Sequence, residues 1–360
     1  MPVIKPKYRG ILRDYLIGWF VASLVWELLR NVGQPASLAS ELTFSTRVIV
    51  FIITWLSQGL FFGLLDIFIE HYIFGRVRFI KLLLSALALQ LLVMMALIVL
   101  LFFIFKAMGL ANLPETLGGF IQLPVIPVAL VYAMIVNFCI SVVVYINMML
   151  GNGNLLRLIR GEFYTPKADI RIFMFLDLRG STTIAERLGH IRYSRLIQDC
   201  FYDLAIVHDY KAEIYQYVGD EAVLVWPANI GYNAINCVKA FFAFQNRIKE
   251  RAAIYKSKYD MIPEFKAGLN IGEVTIAEVG ELKREIAYHG DTINTAARLE
   301  ASCNRLNADL LVSENLLKRL DLEPWLKSDL KGQIQLKGKQ SAVNIYAIEK
   351  VTESGIKGIG

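Results

Sequence analysis

The chain has 360 residues, of which 55% are hydrophobic, and its formal net charge is +6 at pH 7. This length exceeds that of one typical domain. The small charge, without a long basic tract, argues against a nucleic-acid partner. The four cysteines are scattered without Cys-X-X-Cys spacing, which gives no signal for a metal or disulfide site and suits a reducing compartment.

The hydrophobic excess is concentrated in the first 150 residues, where three long segments contain no charged side chain. They are residues 48–65, 82–105 and 116–156. A helix needs about 20 apolar residues to cross hydrocarbon about 30 Å thick, so each segment predicts a transmembrane helix. A core helix of a soluble protein is the alternative, but such a helix is rarely apolar on every face.

A fourth span is predicted nearer the N-terminus, at residues 15–29, where Glu27 is the one charged side chain. A cleaved signal peptide is the alternative for this segment. It would need small residues before a cleavage site, and residues 36–40 offer only a poor one. We therefore expect residues 1–150 to form a membrane domain of about four helices.

Basic residues favour the cytosolic side of a membrane. They are frequent in the first 13 residues, in residues 76–81 and after residue 156, and sparser in the two other loops. This alternation predicts a multi-pass protein of the cell membrane with both termini in the cytosol, and with the lipid bilayer as the partner of its helical half.

The second half of the chain has a different pattern. Gly151 and Gly153 predict a linker at residues 151–168, and runs of branched and aromatic residues then alternate with helical periodicity. Strands are expected at 170–176, 213–218, 222–226, 265–276 and 285–288, helices at 193–207, 232–255 and 292–301, and a final hairpin within 330–348. This mixture indicates an α+β domain at residues 169–350, followed by a tail at 351–360.

Two aspartates stand at positions suited to metal binding. Asp177 ends the first predicted strand, and Asp220 lies in the turn of a predicted β-hairpin. If these strands are neighbours in one sheet, the two carboxylates meet at its edge and can hold two Mg²⁺ ions. The backbone amides after Asp177 begin a helix and are suited to a polyphosphate. Each feature alone is more often structural.

The motifs FLDLRGST, VGDE and HGDTINTAARLE, in this order and spacing, resemble the catalytic domain of class III nucleotidyl cyclases. The resemblance covers roughly residues 169–350. It implies an α-helical transmembrane bundle followed by an α+β (ferredoxin-like, palm-type) catalytic domain. It also implies an adenylate cyclase that forms 3',5'-cyclic AMP and pyrophosphate from ATP, with two Mg²⁺ or Mn²⁺ ions per active site.

The resemblance assigns the metal site and the catalytic pair. Asp177 and Asp220, with the neighbouring Leu178, correspond to the metal-binding positions. Asn294 and Arg298 correspond to the pair that stabilises the transition state. Their spacing of one helical turn puts both side chains on one face, and the arginine would meet the charge that develops on the α-phosphate.

Two sets of residues are expected to bind the phosphates. Gly180, Ser181 and Thr182 stand at a helix start, where backbone amides are suited to the polyphosphate. The resemblance adds a lysine. Lys337 corresponds to a lysine that binds the terminal phosphate, although a solvated lysine in a hairpin is an equally good interpretation. His289 lies close by in sequence, and we interpret it as a structural residue rather than a base.

In this family the active site lies between two catalytic domains. The aspartates come from one domain and the asparagine and arginine from the other. Because this chain holds each element once, the resemblance implies a homodimer with two equivalent sites. Small rotations transmitted through the linker would then open or close both sites.

Base recognition departs from the family pattern. Gln216 stands where adenylyl members have an adenine-reading lysine, and Ala287 stands where its Asp or Thr partner is expected. The Glu and Cys that read guanine in guanylyl members are also absent. A glutamine amide can face either purine edge, and Glu285 is another candidate for reading the base. We expect ATP as substrate because adenylyl members are the commoner bacterial type, and GTP stays open.

Three other functions fit the sequence less well. A catalytically silent receptor or dimerisation module would usually lose a metal aspartate or the arginine, and neither is lost here. A diguanylate cyclase has a Gly-Gly-Asp-Glu-Phe signature, whereas the turn here has only Gly219-Asp220-Glu221. A transporter or channel would leave the soluble catalytic set without a role.

Overall fold

The computed structural model describes residues 6–29, 44–72, 79–107, 114–150, 154–228, 233–282, 284–335 and 342–351. The chain divides into two compact units, Met1–Leu150 and Gly151–Gly360. The described part of the first unit is helical, and the second unit is an α+β domain. This architecture confirms the predicted fold class.

The first unit contains five helices within the described residues. They are α1 (Pro6–Leu29), α2 (Phe44–Tyr72), α3 (Phe79–Ala107), α4 (Leu117–Ile121) and α5 (Val125–Leu150). Three helical segments are long and apolar enough to cross a membrane: Arg47–Ile69, Ala88–Ala107 and Val125–Asn147. These overlap the three charge-free segments of the sequence. The helix α1 includes the predicted first span but is not among the three, so the fourth span stays a prediction.

Helix α1 packs closely against its neighbours in the first unit. A Cβ atom added at Gly63 of α2 would lie 2.9 Å from Leu12 Cδ1 of α1, and the Tyr15 hydroxyl lies 2.8 Å from Ser141 Oγ of α5. Small residues and interhelical hydrogen bonds are the usual means by which helices associate in a membrane. Helix α1 is therefore held in the first unit by a close contact with α2 and a hydrogen bond to α5.

The second unit is built on one mixed sheet of eight strands, in the order β2-β3-β1-β4-β6-β8-β7, with β5 paired to β4. The strands are β1 (Lys167–Leu178), β2 (Glu213–Val218), β3 (Glu221–Pro227), β4 (Phe265–Val279), β5 (Glu285–His289), β6 (Leu310–Ser313), β7 (Leu326–Gln335) and β8 (Ala342–Lys350). The pair β4 and β6 is parallel, and the other pairs are antiparallel.

The helices of the second unit are α6 (Asn154–Ile159), α7 (Ser181–Leu204), α8 (Ile235–Glu250), α9 (Ala252–Tyr259), α10 (Asp291–Ser302) and α11 (Glu314–Leu317), with a 3₁₀ segment at Ala205–Tyr210. The prediction of a single helix at 232–255 was wrong. The chain leaves helical geometry at Arg251, whose guanidinium donates a 2.5 Å hydrogen bond to the buried Asp203. The strand β6 and the helix α11 were not predicted, because four residues are too few to show a periodicity.

The two faces of the sheet bury different clusters, because successive side chains of a strand point to opposite faces. Ile172 of β1 belongs to the larger core, which includes residues of α7 and α8. Phe173 and Phe175 lie on the other face, where they pack in a cluster with Ala296 of α10. Asp177 shares the parity of Phe173 and Phe175, so its side chain lies on the α10 side of the sheet.

Helix α10 lies directly on strand β4. A Cβ atom at Gly268 would overlap the backbone nitrogen of Glu300 and the carbonyl oxygen of Ala296, and a Cβ atom at Gly272 would lie 2.5 Å from Thr292 Oγ1. The missing side chain at Gly268 therefore sets the separation between the helix and the sheet.

The substitution Gly268→Ala should loosen α10, because the overlapped atoms belong to backbone and cannot rotate away. Overpacking a core lowers the free energy of unfolding by about 1–3 kcal/mol, and we expect a loss at least this large. Hydrogen exchange of the α10 amides, measured by mass spectrometry on the full-length protein, reports this cost as lost protection.

Two variants calibrate that measurement. Gly272→Ala should cost less, because Thr292 can change rotamer. Gly10→Ala in α1 should leave α10 unchanged, since a Cβ atom there has no described atom within 4 Å. Wild-type protection of α10 in Gly268→Ala would contradict the close packing.

Candidate active site

Asp177 stands at the end of β1, between two antiparallel neighbours. It lies opposite Lys266 in the register with β4, and the Lys266 ammonium is 3.0 Å from Asp177 Oδ2. Burial raises the pKa of Asp177, the hydrogen bond from Lys266 opposes that rise, and the charge of Asp220 adds to it. The carboxylate is therefore half-buried and held by one ammonium, with a second carboxylate close by.

Asp220 follows Gly219 in the tight turn between β2 and β3. Gly219 has φ of 63°, a left-handed conformation that glycine adopts without strain. Because β3 pairs with β1 up to Ala222 opposite Leu176, this turn places Asp220 beside the end of β1. Its Oδ2 atom is buried without a hydrogen-bond partner among the described residues.

The two carboxylates fit a divalent cation. Mg²⁺ and Mn²⁺ favour oxygen ligands, and Mg²⁺ usually takes one or two carboxylates and leaves its other positions to water and phosphate. A buried carboxylate oxygen without a partner is costly unless something binds it, and Asp220 Oδ2 is such an atom. Leu178 has a fully buried side chain, so its carbonyl oxygen is the group it can offer.

A cavity of about 460 Å³ opens beside Asp220 at the start of α7. Ser181 and Thr182 line it, and the exposed Gly180 precedes them as the N-cap of the helix. The first amides of a helix have no intrahelical partner and favour anions. The structure thus puts the predicted phosphate-binding segment next to one of the two aspartates.

Tyr193 also lines this cavity and was not singled out from the sequence. Burial raises the pKa of its hydroxyl to about 12, and the charge of Asp220 adds to this rise. The phenol therefore stays protonated at neutral pH and is a hydrogen-bond donor at the cavity wall.

A cluster of charged residues behind the aspartates was also missed. The Lys266 ammonium bridges Asp177 of β1 and Glu300 of α10, and Glu221 lies within electrostatic range of both carboxylates. The sequence carries one signal for this cluster, because Lys266 is the single charged residue in the otherwise uncharged stretch 265–271. Its partners could not be named without the packing of α10 on β4.

Arg179, which follows Leu178, does not face the cavity as a free cation. Its guanidinium donates hydrogen bonds to Asp309 Oδ1 and the Ala308 carbonyl at 2.7 Å each, and to Asn304 Oδ1 at 2.8 Å. These bonds tie the end of β1 to the segment before β6. We therefore interpret Arg179 as a structural residue.

Asn294 and Arg298 lie together on α10 but away from the aspartates of the same chain. The buried side of α10 carries Thr292, Ala296 and Glu300, and at about 100° per residue Asn294 falls on the opposite side. Asn294 is exposed and Arg298 is half-buried. Within one chain the structure does not join this pair to Asp177 and Asp220.

The two residues predicted to read the base lie on separate strands. Gln216 is exposed on β2 next to an irregularity in the register with β3, and Ala287 is half-buried on β5. Their sequence neighbours Tyr215 and Tyr288 are in edge-to-face contact, with ring centroids 4.8 Å apart. Glu285, the other candidate for reading the base, is exposed at the start of β5.

Lys337, the predicted terminal-phosphate lysine, lies outside the described residues.

Residues 164–350, just over half of the chain, match the family described as Adenylate and Guanylate cyclase catalytic domain. Adenylate cyclase 2 of Rhizobium meliloti (strain 1021) is 34% identical over 227 residues, which make up 63% of this chain and 62% of that protein. The receptor-type guanylate cyclase gcy-28 of Caenorhabditis elegans is 23% identical over 186 residues, 51% of this chain and 14% of that protein. The chain thus spans less than two thirds of the length of these relatives.

A solved structure of a bacterial light-regulated adenylyl cyclase has a TM-score of 0.52 to this chain. The match covers 63% of this chain and 66% of the other at 16% sequence identity. At this identity the likeness shows a shared fold.

The charged cluster predicts a pH-dependent stability. Burial, with the charges of Glu300 and Asp177, raises the pKa of Glu221 to about 7, whereas an unfolded glutamate has a pKa of about 4.3. Between these values the folded state holds a proton that the unfolded state releases, so the contribution of Glu221 to stability falls as pH rises from about 4.3 to about 7 and levels off above that.

Glu221→Gln cannot ionise, so it should raise the melting temperature relative to wild type at pH 8 and do so less at pH 5.5. Thermal unfolding of the full-length protein in chelator-treated buffer measures this difference. Glu250→Gln, at an exposed position at the end of α8, is the control and should change the melting temperature by the same amount at both pH values. An equal shift for Glu221→Gln at the two pH values would contradict the raised pKa.

Proposed function

This chain belongs to the adenylate and guanylate cyclase catalytic domain family, and we propose that it is an adenylate cyclase that forms 3',5'-cyclic AMP and pyrophosphate from ATP. One observation carries the proposal. The end of β1 and the β2–β3 turn bring Asp177 and Asp220 together beside a cavity at a helix start, and the buried Asp220 Oδ2 lacks a described partner. This combination suits a cation–triphosphate complex.

The reaction is an intramolecular displacement. The ribose 3'-oxygen forms a bond to the α-phosphorus, the bond between the α-phosphorus and the bridging oxygen breaks, pyrophosphate leaves, and the hydroxyl proton passes to solvent. Two Mg²⁺ or Mn²⁺ ions, when bound, supply Lewis acidity that lowers the pKa of the hydroxyl and neutralises the triphosphate.

Five residues of the candidate site have a proposed part in this reaction. Asp177 and Asp220 hold the cations, and the α7 start at Ser181 and Thr182 orients the polyphosphate. Arg298 donates to the charge that develops on the α-phosphate, and a preorganised donor of this kind is worth about 3 kcal/mol.

We propose that the active site is completed in a homodimer. Asn294 and Arg298 occupy the side of α10 turned away from the sheet, so a second copy related by a two-fold axis is the natural source of this pair for a given Asp177–Asp220 site. The three apolar helices support anchoring in the cell membrane. The basic residues of the sequence favour a cytosolic catalytic domain.

GTP is the second candidate substrate. Ala287 offers no side-chain hydrogen bond and the Gln216 amide can both donate and accept, so neither residue excludes guanine. An assay of ATP and GTP in parallel, with the cyclic product identified by mass, decides between an adenylate, a guanylate and a relaxed-specificity cyclase. No cyclic product from either triphosphate would favour a silent signalling module.

Asp220→Asn should lower cyclic-nucleotide formation by at least about 100-fold. The substitution removes a negative charge that would hold a cation, and a bound cation stabilises the transition state by several kcal/mol. Pyrophosphate release from ATP with Mn²⁺ or Mg²⁺, measured on the purified full-length protein, tests this. Asp260→Asn is the matched control, since Asp260 is exposed at the end of α9. Retained activity in Asp220→Asn would refute the site.

The dimer is tested by complementation. Chains with Asp177→Ala and chains with Arg298→Ala should each be inactive, but their co-expression should restore about a quarter of wild-type activity, because half of the random dimers are mixed and each has one intact site. Co-expression of Asp177→Ala with Asp220→Ala is the control and should restore nothing. A lack of rescue in the first pair would exclude the shared site.

A further inference from the structure

Lys266 occupies a position that the proposed reaction does not yet use. It stands directly opposite Asp177 across the β1–β4 pair, and residues so paired project to the same face of a sheet. Lys266 is 6% exposed. Its ammonium lies 3.0 Å from Asp177 Oδ2 and donates a hydrogen bond to Glu300 Oε1. One cation therefore joins a strand-end carboxylate to a helix carboxylate.

The charge of Lys266 is outnumbered by the acidic groups around it. Asp177, Glu221 and Glu300 all interact with Lys266, and Asp220 acts on Asp177 and Glu221. In a site of this burial the interaction between unit charges a few ångströms apart is worth kilocalories per mole. The attraction of the site for a divalent cation thus depends strongly on whether this one positive charge is present and where it is held.

Glu300 connects this charge balance to the helix α10. It lies two residues after Arg298, on the opposite side of the helix. The close contact at Gly268 means that the helix backbone cannot move nearer to β4. The ammonium of Lys266 therefore links Asp177 to α10, the helix that carries Asn294 and Arg298. If the ammonium moves toward Asp177 or toward Glu300, the strength of this link changes.

We propose that Lys266 is a positioning residue: by bridging Asp177 and Glu300 it sets the divalent-cation affinity of the Asp177–Asp220 pair and ties that pair to α10. The proposal rests on the proposed function for the identity of the cation site. It adds a residue that acts through Asp177 rather than on the substrate. It also makes Glu300 the anchor that draws the lysine charge away from the cation.

The two partners of the bridge should shift cation affinity in opposite directions. Lys266→Met removes a positive charge beside the site and should tighten Mn²⁺ binding at pH 8 by at least about fivefold. Glu300→Gln removes a negative charge and frees Lys266 to act on Asp177 alone, so it should weaken Mn²⁺ binding by at least about threefold. Binding is measured on the nucleotide-free full-length protein by the electron paramagnetic resonance signal of free Mn²⁺.

Two variants act as controls. Lys266→Arg keeps the charge and should stay within about twofold of wild type. Lys258→Met breaks a lysine–carboxylate pair of similar length, 2.9 Å to Asp199, and should leave Mn²⁺ binding unchanged. General damage to the fold would weaken binding in both Lys266→Met and Glu300→Gln, so opposite signs distinguish positioning from a merely structural role.

Shifts of the same sign, no shift, or no Mn²⁺ binding to the wild-type protein would overturn the proposal. If Lys266→Met does not fold, as removing one partner of a buried pair can cause, unchanged affinity in Glu300→Gln overturns it alone. If the protein shows these opposite shifts but makes no cyclic nucleotide, the Lys266 proposal stands and the proposed reaction is wrong. If the protein is an active cyclase without these shifts, the proposed reaction stands and the Lys266 proposal is wrong.

Discussion

The candidate active site depends on holding two like-charged carboxylates together at the half-buried end of a sheet. Burial and the charge of Asp220 both raise the pKa of Asp177, while the bond from Lys266 opposes them. Other features of the fold serve this balance. The register of β1 sets Asp177 opposite Lys266, the turn at Gly219 delivers Asp220, and the contact at Gly268 brings the helix carboxylate close enough to share the ammonium.

The parts of this arrangement that the sequence predicts are the local ones. A strand that ends in Asp177 and a Gly-Asp turn between two apolar runs are visible over a few residues, and the mixture of strands and helices predicts the α+β class. That the aspartates meet depends on the pairing of β1 with β3, which the sequence left as a condition. The bond between Lys266 and Glu300 joins residues 34 apart. It exists because α10 lies on β4, which no local pattern predicts. The break at Arg251 is likewise not visible in the helical periodicity, and the guanidinium there donates to Asp203, a residue distant in sequence.

The helix α10 has two roles that its geometry keeps separate. Its inward side packs on β4 and ends at Glu300, beside the aspartates of its own chain. Its outward side carries Asn294 and Arg298, which the proposed dimer delivers to the other site. A rigid helix transmits a displacement on one side to the other. In such a dimer, a movement at one cation site therefore also moves the Asn294 and Arg298 that complete the other site.

In the proposed cyclase, purine selectivity depends on what Gln216 and Ala287 can offer to the base. A site that hydrogen-bonds its substrate rejects an analogue by leaving buried polar groups unpaired, and this discrimination reaches about 10⁴-fold or more. Ala287 has no such group to leave unpaired, and the exposed Gln216 can rotate its amide to suit either purine at little cost. Discrimination that depends on these two residues is therefore weak. In the proposed cyclase, a strong preference between ATP and GTP therefore requires contacts to the base from groups other than Gln216 and Ala287.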